Sequence, residues 1–253
     1  MLSKNQIKYI NSLQIKKYRQ QHQSFVVEGA KSVVELLASD YEVETLWATS
    51  EFQQQHQAVL AARRVPLETV TLSELEKLGS FQSNDSCVAV AKTKENRFLC
   101  ADPGEYVLLL DDVRDPGNLG TILRIADWYG ITKIVCSEST TDLYNPKVIA
   151  ASKGSFTRIN TYYTDLPPFL SQHGAGVGVI GAFLEGESLY DFRFPSQGGY
   201  VVMGNESQGI GEAVGTYVTH KVTIPRFGGA ESLNVGIATA VICDNLRRQL
   251  HKG

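Results

Sequence analysis

The stretch Tyr106-Val-Leu-Leu-Leu-Asp-Asp-Val113, continued by Arg114-Asp-Pro-Gly117 and Asn118-Leu-Gly120-Thr-Ile-Leu-Arg124, decides how this chain is read. Its apolar run predicts a buried strand. Pro116 and Gly117 then form a turn, one by its fixed φ and the other by its tolerance of positive φ. A helix is expected to begin at Asn118, whose side chain is suited to accept a bond from a free amide of the first turn. Gly120 lets a neighbouring backbone or a ligand approach that turn. In an open α/β sheet, ligands bind at the C-terminal ends of strands. Arg124, just beyond such an end, therefore points to an anionic or hydrogen-bonding substrate. Taken alone, the segment is equally an ordinary βα turn followed by a surface Arg.

Outward from this stretch, strand and helix patterns alternate. Strands are expected at Val107–Leu110, Lys133–Cys136, Phe156–Thr161, Val177–Ala182, Tyr200–Met203 and Lys221–Ile224, and a last helix from about Leu233 to His251. Such alternation predicts an α/β fold with a mostly parallel sheet covered on both faces. Upstream, helix patterns at Ile7–Leu13, Gly29–Leu37, Glu51–Arg64 and Ser73–Leu78 interleave with strands at Ser24–Glu28, Val43–Thr49, Leu67–Val70 and Cys87–Ala91. Ser73 and Glu76 have the spacing of a capping box. These elements predict a compact αβα domain over residues 1–95. Charge, Pro and Gly cluster in residues 96–105, which read as a linker, and the second domain runs over 106–253.

The 253 residues leave room for two domains, and 43% hydrophobic with 20% charged residues describes a globular chain. No apolar run has membrane-spanning length. The start, Met1-Leu-Ser-Lys-Asn-Gln, lacks the apolar core of a signal peptide, so a cytoplasmic protein is expected. Cys87, Cys100, Cys136 and Cys243 are scattered, which predicts isolated thiols rather than a metal site or disulfide framework. The net charge of −3 argues against a strongly basic nucleic-acid binder. Its distribution is uneven, however. Residues 1–31 carry Lys4, Lys8, Lys16, Lys17, Arg19 and Lys31 against Glu28 alone, which is either a phosphate-contacting patch or a solvated helix surface.

Three more glycine-rich stretches need sorting. Gly176-Val-Gly178-Val-Ile-Gly181 matches G-x-G-x-x-G, but the glycines enter an apolar run rather than follow one, so it is not read as a dinucleotide site. Gly204-Asn-Glu206-Ser-Gln-Gly209 follows the strand Tyr200–Met203. There Gly204 is expected to admit a ligand to the backbone, and Asn205 and Glu206 bring polar groups to the sheet edge. Ile224-Pro-Arg-Phe-Gly228-Gly229-Ala-Glu-Ser232-Leu-Asn234 follows the strand ending at Ile224. Ser232 is expected to cap the last helix. The apolar side chains and free main-chain groups of this loop suit a flat heterocycle such as adenine.

With three loops in this order, the chain resembles the SpoU (TrmH) class of the SPOUT methyltransferases. That class methylates ribose 2′-hydroxyls of RNA with S-adenosylmethionine. The class motif Asn-x-Gly-x-x-x-Arg is matched by Asn118, Gly120 and Arg124. Gly-Asn-Glu-x-x-Gly is matched by Gly204, Asn205, Glu206 and Gly209. Ile-Pro-Met-x-Gly-x-x-x-Ser-Leu-Asn is matched by Ile224, Pro225, Gly228, Ser232, Leu233 and Asn234, with Arg226 replacing the Met. Residues 1–95 resemble, less sharply, the L30e-like substrate-binding domain found in front of such enzymes.

The resemblance implies a deep trefoil knot, a homodimer, and an RNA substrate, ribosomal before transfer RNA. It implies cofactor contacts from Ala182, Phe183, Leu184, Gly204, Asn205, Gly209, Ile224, Pro225, Gly228, Ser232, Leu233 and Asn234. Catalytic roles fall to Arg124, Asn118, Glu206, Ser232 and Asn234, with RNA contacts from Lys4, Lys8, Lys16, Lys17, Arg19 and Lys31. It implies neither membrane nor metal. A catalytically silent RNA-binding factor and a nucleotide-cofactor enzyme built on Gly176–Gly181 are the competing readings.

Overall fold

The computed structural model describes residues 2–79, 84 and 86–250. Two compact units are present, one made of Met1–Glu95 with Asp142–Arg158, the other of Asn96–Thr141 with Ile159–Gly253. In chain order the elements begin with α1 (Lys4–Ser12), α2 (Lys16–His22), β1 (Ser24–Glu28), α3 (Ala30–Leu37), β2 (Val43–Ala48), α4 (Ser50–Gln55), α5 (Gln57–Ala62), β3 (Leu67–Thr69), α6 (Leu72–Leu75) and β4 (Cys87–Lys92). They continue with β5 (Tyr106–Leu110), α7 (Pro116–Trp128), β6 (Lys133–Ser137), α8 (Pro146–Ser152), β7 (Asn160–Thr164), α9 (Leu166–His173), β8 (Gly178–Ser188), β9 (Gly199–Met203), α10 (Glu212–Gly215), β10 (His220–Thr223) and α11 (Val235–Leu250). His251, the expected end of the last helix, lies outside the described residues.

The first unit is a four-stranded sheet in the order β1-β4-β2-β3, antiparallel except for the β2–β3 pair. Ile10, Leu13, Val26, Trp47, Leu78 and Val88 share one of its cores. The capping box sits two residues earlier than expected, at Thr71 and Glu74. Thr71 is the last extended residue before the helix, so its hydroxyl rather than that of Ser73 faces the free amides. The expected strand at Phe156–Thr161 is also corrected. A turn of 3-10 helix covers Ser155–Thr157, and β7 begins only at Asn160. Phe156 belongs to the first unit, where its ring lies 5.9 Å from Phe25, itself 4.6 Å from Tyr144. Its hydrophobicity is used in an aromatic cluster rather than in a sheet.

Arg19 is a second correction. Expected among the RNA-binding cations, it is buried, with its side chain only 4% exposed. Nη2 pairs with Asp142 Oδ2 at 2.7 Å, and Nη1 donates to the carbonyls of Leu13 and Gln14, both at 2.9 Å. A buried guanidinium persists only where its donors are met, and here the planar fork meets a carboxylate and two carbonyls. Lys4, Lys8, Lys16, Lys17 and Lys31 are exposed.

The second unit is a six-stranded, all-parallel sheet in the order β10-β8-β9-β5-β6-β7. The strand Tyr106–Leu110 is central and buried along its whole length, as its unbroken apolar run requires. Residues 96–105, expected as a linker, pack against this unit. Asn96 exchanges two 2.8 Å bonds with the Tyr163 backbone, the Phe98 ring lies 5.0 Å from His173, and Lys133 pairs with Asp102 and Glu105. After β5 the chain moves to β6, whereas after β9 it moves toward β10 on the opposite side. These neighbouring strands therefore form the topological switch point, where open α/β sheets bind ligands. Because all the strands are parallel, the loops after β5, β8, β9 and β10 leave from the same edge.

Replacing Arg19 with Ala leaves Asp142 without its cation and two carbonyls without donors. The expected loss is about 3–5 kcal/mol of stability, read as a lower urea midpoint. Lys16→Ala and Lys17→Ala, on exposed positions of the same helix, should stay within about 0.5 kcal/mol of wild type.

Candidate functional site

The helix after β5 starts earlier than the sequence suggested, and this changes what Asn118 does. Asp115 is the N-cap, its carboxylate accepting from the Asn118 amide at 2.9 Å, and Pro116 occupies the first helical position. Pro has no amide to satisfy there and its φ is already helical. With Asp115 as the cap, the Asn118 side chain is free for long-range contacts. Its Nδ2 donates to Glu206 Oε1 at 2.7 Å, and its Oδ1 accepts from Asn234 Nδ2 at 2.8 Å. One residue of the first motif thus ties together the second and third.

Asn234 also corrects the expected cap of α11. Its Oδ1 accepts from the amides of Gly236 and Ile237 at 2.9 and 3.3 Å, whereas Ser232 is exposed and hydrogen-bonds to no other described residue. Asn234 immediately precedes Val235, so its carbonyl oxygen meets the second and third amides of the helix. Its amide nitrogen is left to donate to Asn118.

The loop after β9 folds back on itself. Asn205 and Gly209 exchange two backbone bonds of 2.9 Å, and Asn205 Oδ1 accepts from the amides of Ser207 and Gln208. Gly209 has φ +70°, a conformation Gly adopts without strain. At Gly204 a Cβ would stand 2.2 Å from the Gly209 carbonyl carbon and 2.3 Å from the Ile210 nitrogen. The close approach that requires this glycine is made by the loop's own backbone.

Two carboxylates beneath this loop were not singled out from the sequence. Asp112 sits at φ 61°, its carbonyl and carboxylate accepting from Asn205 Nδ2 at 2.8 and 3.1 Å. A non-glycine residue in this region stores strain, which tends to gather at functional sites. Arg114 holds the Asp112 carboxyl below its usual range. Asp111 accepts from the Gly211 amide at 2.7 Å, and burial, with Asp112 adding to it, pushes its carboxyl above the ordinary Asp value. Asp111 also lines a cavity of about 360 Å³ whose other carboxylates are Glu138, Asp165 and Glu212. The signal available was the pair of acids directly after an apolar strand.

The Arg124 side chain is exposed and makes no hydrogen bond or ion pair with another described residue. It lies six residues after Asn118, so at about 100° per residue it projects from a different face of α7, and the structure does not join it to the Asn118 network. The thiols of Cys136 and Cys243 are buried and pushed up to about 12, hence neutral.

The remaining expected cofactor residues divide by environment. Ala182 and Phe183 are half-buried on β8. Phe183 packs against the core with Lys221 Nζ 5.0 Å from its ring centre, so its side chain serves the fold. Leu184 and Leu233 are 74% and 49% exposed, with Ile224 and Pro225 half-buried at the base of the last loop. Thr223 Oγ1 donates to the Leu184 carbonyl at 3.0 Å, tying the end of β10 to the middle of β8. Along Arg226–Leu233 no main-chain amide donates to another described residue. At Gly228 a Cβ would meet nothing within 4 Å, and its φ is not left-handed. Neither packing nor backbone angle therefore requires this glycine. Free amides, uncovered apolar side chains and a bare backbone surface fit the adenosine part of S-adenosylmethionine.

Comparison with known proteins identifies the family. The model of the SpoU rRNA methylase family matches residues 105–244, and that of the MRM3-like substrate binding domain matches residues 4–89. The 23S rRNA (guanosine(2553)-2′-O)-methyltransferase RlmP of Bacillus subtilis is 31% identical over 256 aligned positions, covering 97% of each chain. An AdoMet-bound rRNA methyltransferase from Sinorhizobium meliloti superposes with a TM-score of 0.87 at 30% identity, covering 99% of this chain and 97% of that one. A TrmH-family structure from Porphyromonas gingivalis superposes with a TM-score of 0.84 at 36% identity, over 98% and 99%.

The raised pKa of Asp111 gives a pH signature. Between the unfolded and folded values the native state holds a proton that the unfolded chain has released, so stability falls as pH rises through that window. Asp111→Asn keeps an acceptor for Gly211 but never ionises. It should unfold at higher urea than wild type at neutral pH, and the difference should close once pH falls below about 4. A constant difference across pH would mean that the carboxylate is not the source.

Proposed function

The chain belongs to the SpoU rRNA methylase family, and from that premise we propose that it transfers a methyl group from S-adenosylmethionine to a ribose 2′-hydroxyl of structured RNA. Ribosomal RNA is the favoured substrate and transfer RNA the second. The observation that carries this reading is the hydrogen-bonded chain Asn234–Asn118–Glu206, which joins the three motif loops at the switch point. A silent RNA-binding factor would have no use for this convergence.

When bound, the cofactor supplies an electrophilic methyl on a sulfonium. The protein's part is to align a ribose oxygen with it, and alignment of two held reactants is a large source of rate. The main chain around Gly204, Asn205, Gly209, Ile224, Pro225 and Gly228, with Leu184, Ser232 and Leu233, forms the cofactor surface in this proposal. Asn118, Glu206 and Asn234 set the position of the ribose. Arg124, whose guanidinium is exposed and uncommitted, takes the RNA phosphate and orients the 2′-hydroxyl. A guanidinium stays protonated at pH values far above neutrality, so its role is geometric and electrostatic rather than that of a base. Lys4, Lys8, Lys16, Lys17 and Lys31 supply phosphate contacts of the substrate-binding domain, a role for which buried Arg19 is unsuited. The proposal includes a trefoil-knotted C-terminal segment and a cytoplasmic homodimer, in which a second copy covers exposed apolar side chains such as Trp128 on α7 and Ile237 on α11.

Titration of S-adenosylhomocysteine into the protein, with and without bulk ribosomal RNA, tests the cofactor surface. Binding is expected in wild type and lost in Leu233→Arg. Absence of binding under both conditions would return the silent-factor reading. Arg124→Lys keeps the charge but loses the planar fork. It should bind S-adenosylhomocysteine normally while kcat falls at least tenfold, about 1.4 kcal/mol in the barrier, and near-normal turnover would remove the geometric role. In the substrate-binding domain, Lys16→Gln with Lys17→Gln should flatten the salt dependence of RNA binding, by roughly 0.7–0.9 in log–log slope for each phosphate no longer neutralised.

A further inference from the structure

Arg226-Phe227-Gly228-Gly229 lies in the loop between β10 and α11. The Phe227 ring is 87% exposed, as bare as Trp128 at 84%. A ring left in water contributes little to the fold, so its burial must come from elsewhere if it comes at all. At both Gly228 and Gly229 a Cβ would meet nothing within 4 Å, and neither glycine has the left-handed φ that would demand it. Together they leave the backbone beside the ring bare. Arg226 Nη1 donates to the Ala230 carbonyl at 3.2 Å, closing this turn, and the side chain is exposed with no ion-pair partner among the described residues. The same loop ends at Asn234, which is bonded to Asn118. An aromatic face, a cation and an open surface are therefore carried by the segment that also completes the site. The motif accounts for Gly228. It does not account for Phe227 or Gly229, and at Arg226 the chain departs from it.

We propose that Phe227 stacks on an unpaired nucleobase of the RNA next to the methylated ribose, with Arg226 pairing the adjoining phosphate. The inference rests on the RNA-methylation reading above. Sequence-specific RNA binding targets splayed, unstacked bases, which stack on aromatic rings, and the guanidinium fork matches a phosphate. The other flat group at hand is the cofactor's adenine. It is the poorer match, because the cofactor's sulfonium and ammonium outweigh its carboxylate and give it a net positive charge beside Arg226. RNA brings a phosphate with every base. Leu184, Ile224 and Leu233 already offer apolar surface for the adenine.

The test compares Phe227→Ala, Phe227→Leu and Phe227→Trp in two assays. One is binding of unmodified ribosomal RNA transcripts at saturating S-adenosylhomocysteine, and the other is binding of S-adenosylhomocysteine alone. An exposed side chain can be replaced without unfolding the chain, which thermal melting checks. The Ala and Leu variants are expected to bind RNA about 5- to 150-fold more weakly, the range of one base–aromatic stack. The Trp variant should bind as wild type, and the cofactor product should bind equally to all. Full RNA affinity in the Leu variant would overturn stacking. Weakened S-adenosylhomocysteine binding with unchanged RNA binding would assign the ring to the adenine instead. Failure of the wild-type chain itself to bind any transcript is read first, and it overturns the RNA-methylation reading rather than the role of Phe227 within it.

Discussion

The site depends on the side-chain amide of Asn118 being used at both ends. Its oxygen accepts from Asn234 and its nitrogen donates to Glu206. The direction of this chain is imposed from α11. The two amides that open the helix require an acceptor, so Asn234 must present its oxygen to them and its nitrogen to Asn118. Asn118 must in turn present its oxygen, which leaves its nitrogen for a carboxylate. An acid at either Asn would place acceptor against acceptor. The N-terminal end of α11 and the Glu206 carboxylate are thus connected through two neutral amides. None of this would hold if Asn118 capped its own helix. Asp115 and Pro116 together start the helix one turn early and leave Asn118 free.

The glycines of the three loops follow different physical demands. Gly204 and Gly209 are required by the protein's own backbone, one by a contact no Cβ tolerates and the other by a left-handed φ. Gly228 and Gly229 meet neither demand, and their bareness has meaning only toward something outside the chain. The first pair folds the loop over Asp111 and Asp112. The second keeps a surface open. A motif written as letters treats Gly204, Gly209 and Gly228 alike.

How much was legible follows from what each feature depends on. The strands of the parallel sheet were readable because burial on both faces leaves unbroken apolar runs such as Tyr106–Leu110. The three loops were readable because parallel strands put them all at one edge. Helix caps were misplaced at Ser73, Asn118 and Ser232, since several capping residues stand within a turn of each true start and only the backbone decides among them. The segment around Phe156 was misassigned because an apolar residue does not reveal which core it joins. Arg19 was read as a surface cation because Asp142, 123 residues away, leaves no local trace.

The charge balance closes the argument about substrate contact. Around Asp111 the methylase unit carries a cavity with Glu138, Asp165 and Glu212 on its walls, a setting that repels phosphate. Arg114 is drawn onto Asp112, and Arg247 donates to the Gly130 carbonyl. A polyanion approaching this edge therefore depends on cations that are not already engaged. Arg124 is one such cation, and Arg226, which gives up a single donor to its own turn, is another. Arg124 stands on α7 and Arg226 in the loop after β10, so each lies in a segment that carries one of the three motifs. Lys4, Lys8, Lys16, Lys17 and Lys31 are exposed in the first unit and Arg124 and Arg226 in the second, so a chain with a net charge of −3 still presents cations to a polyanion.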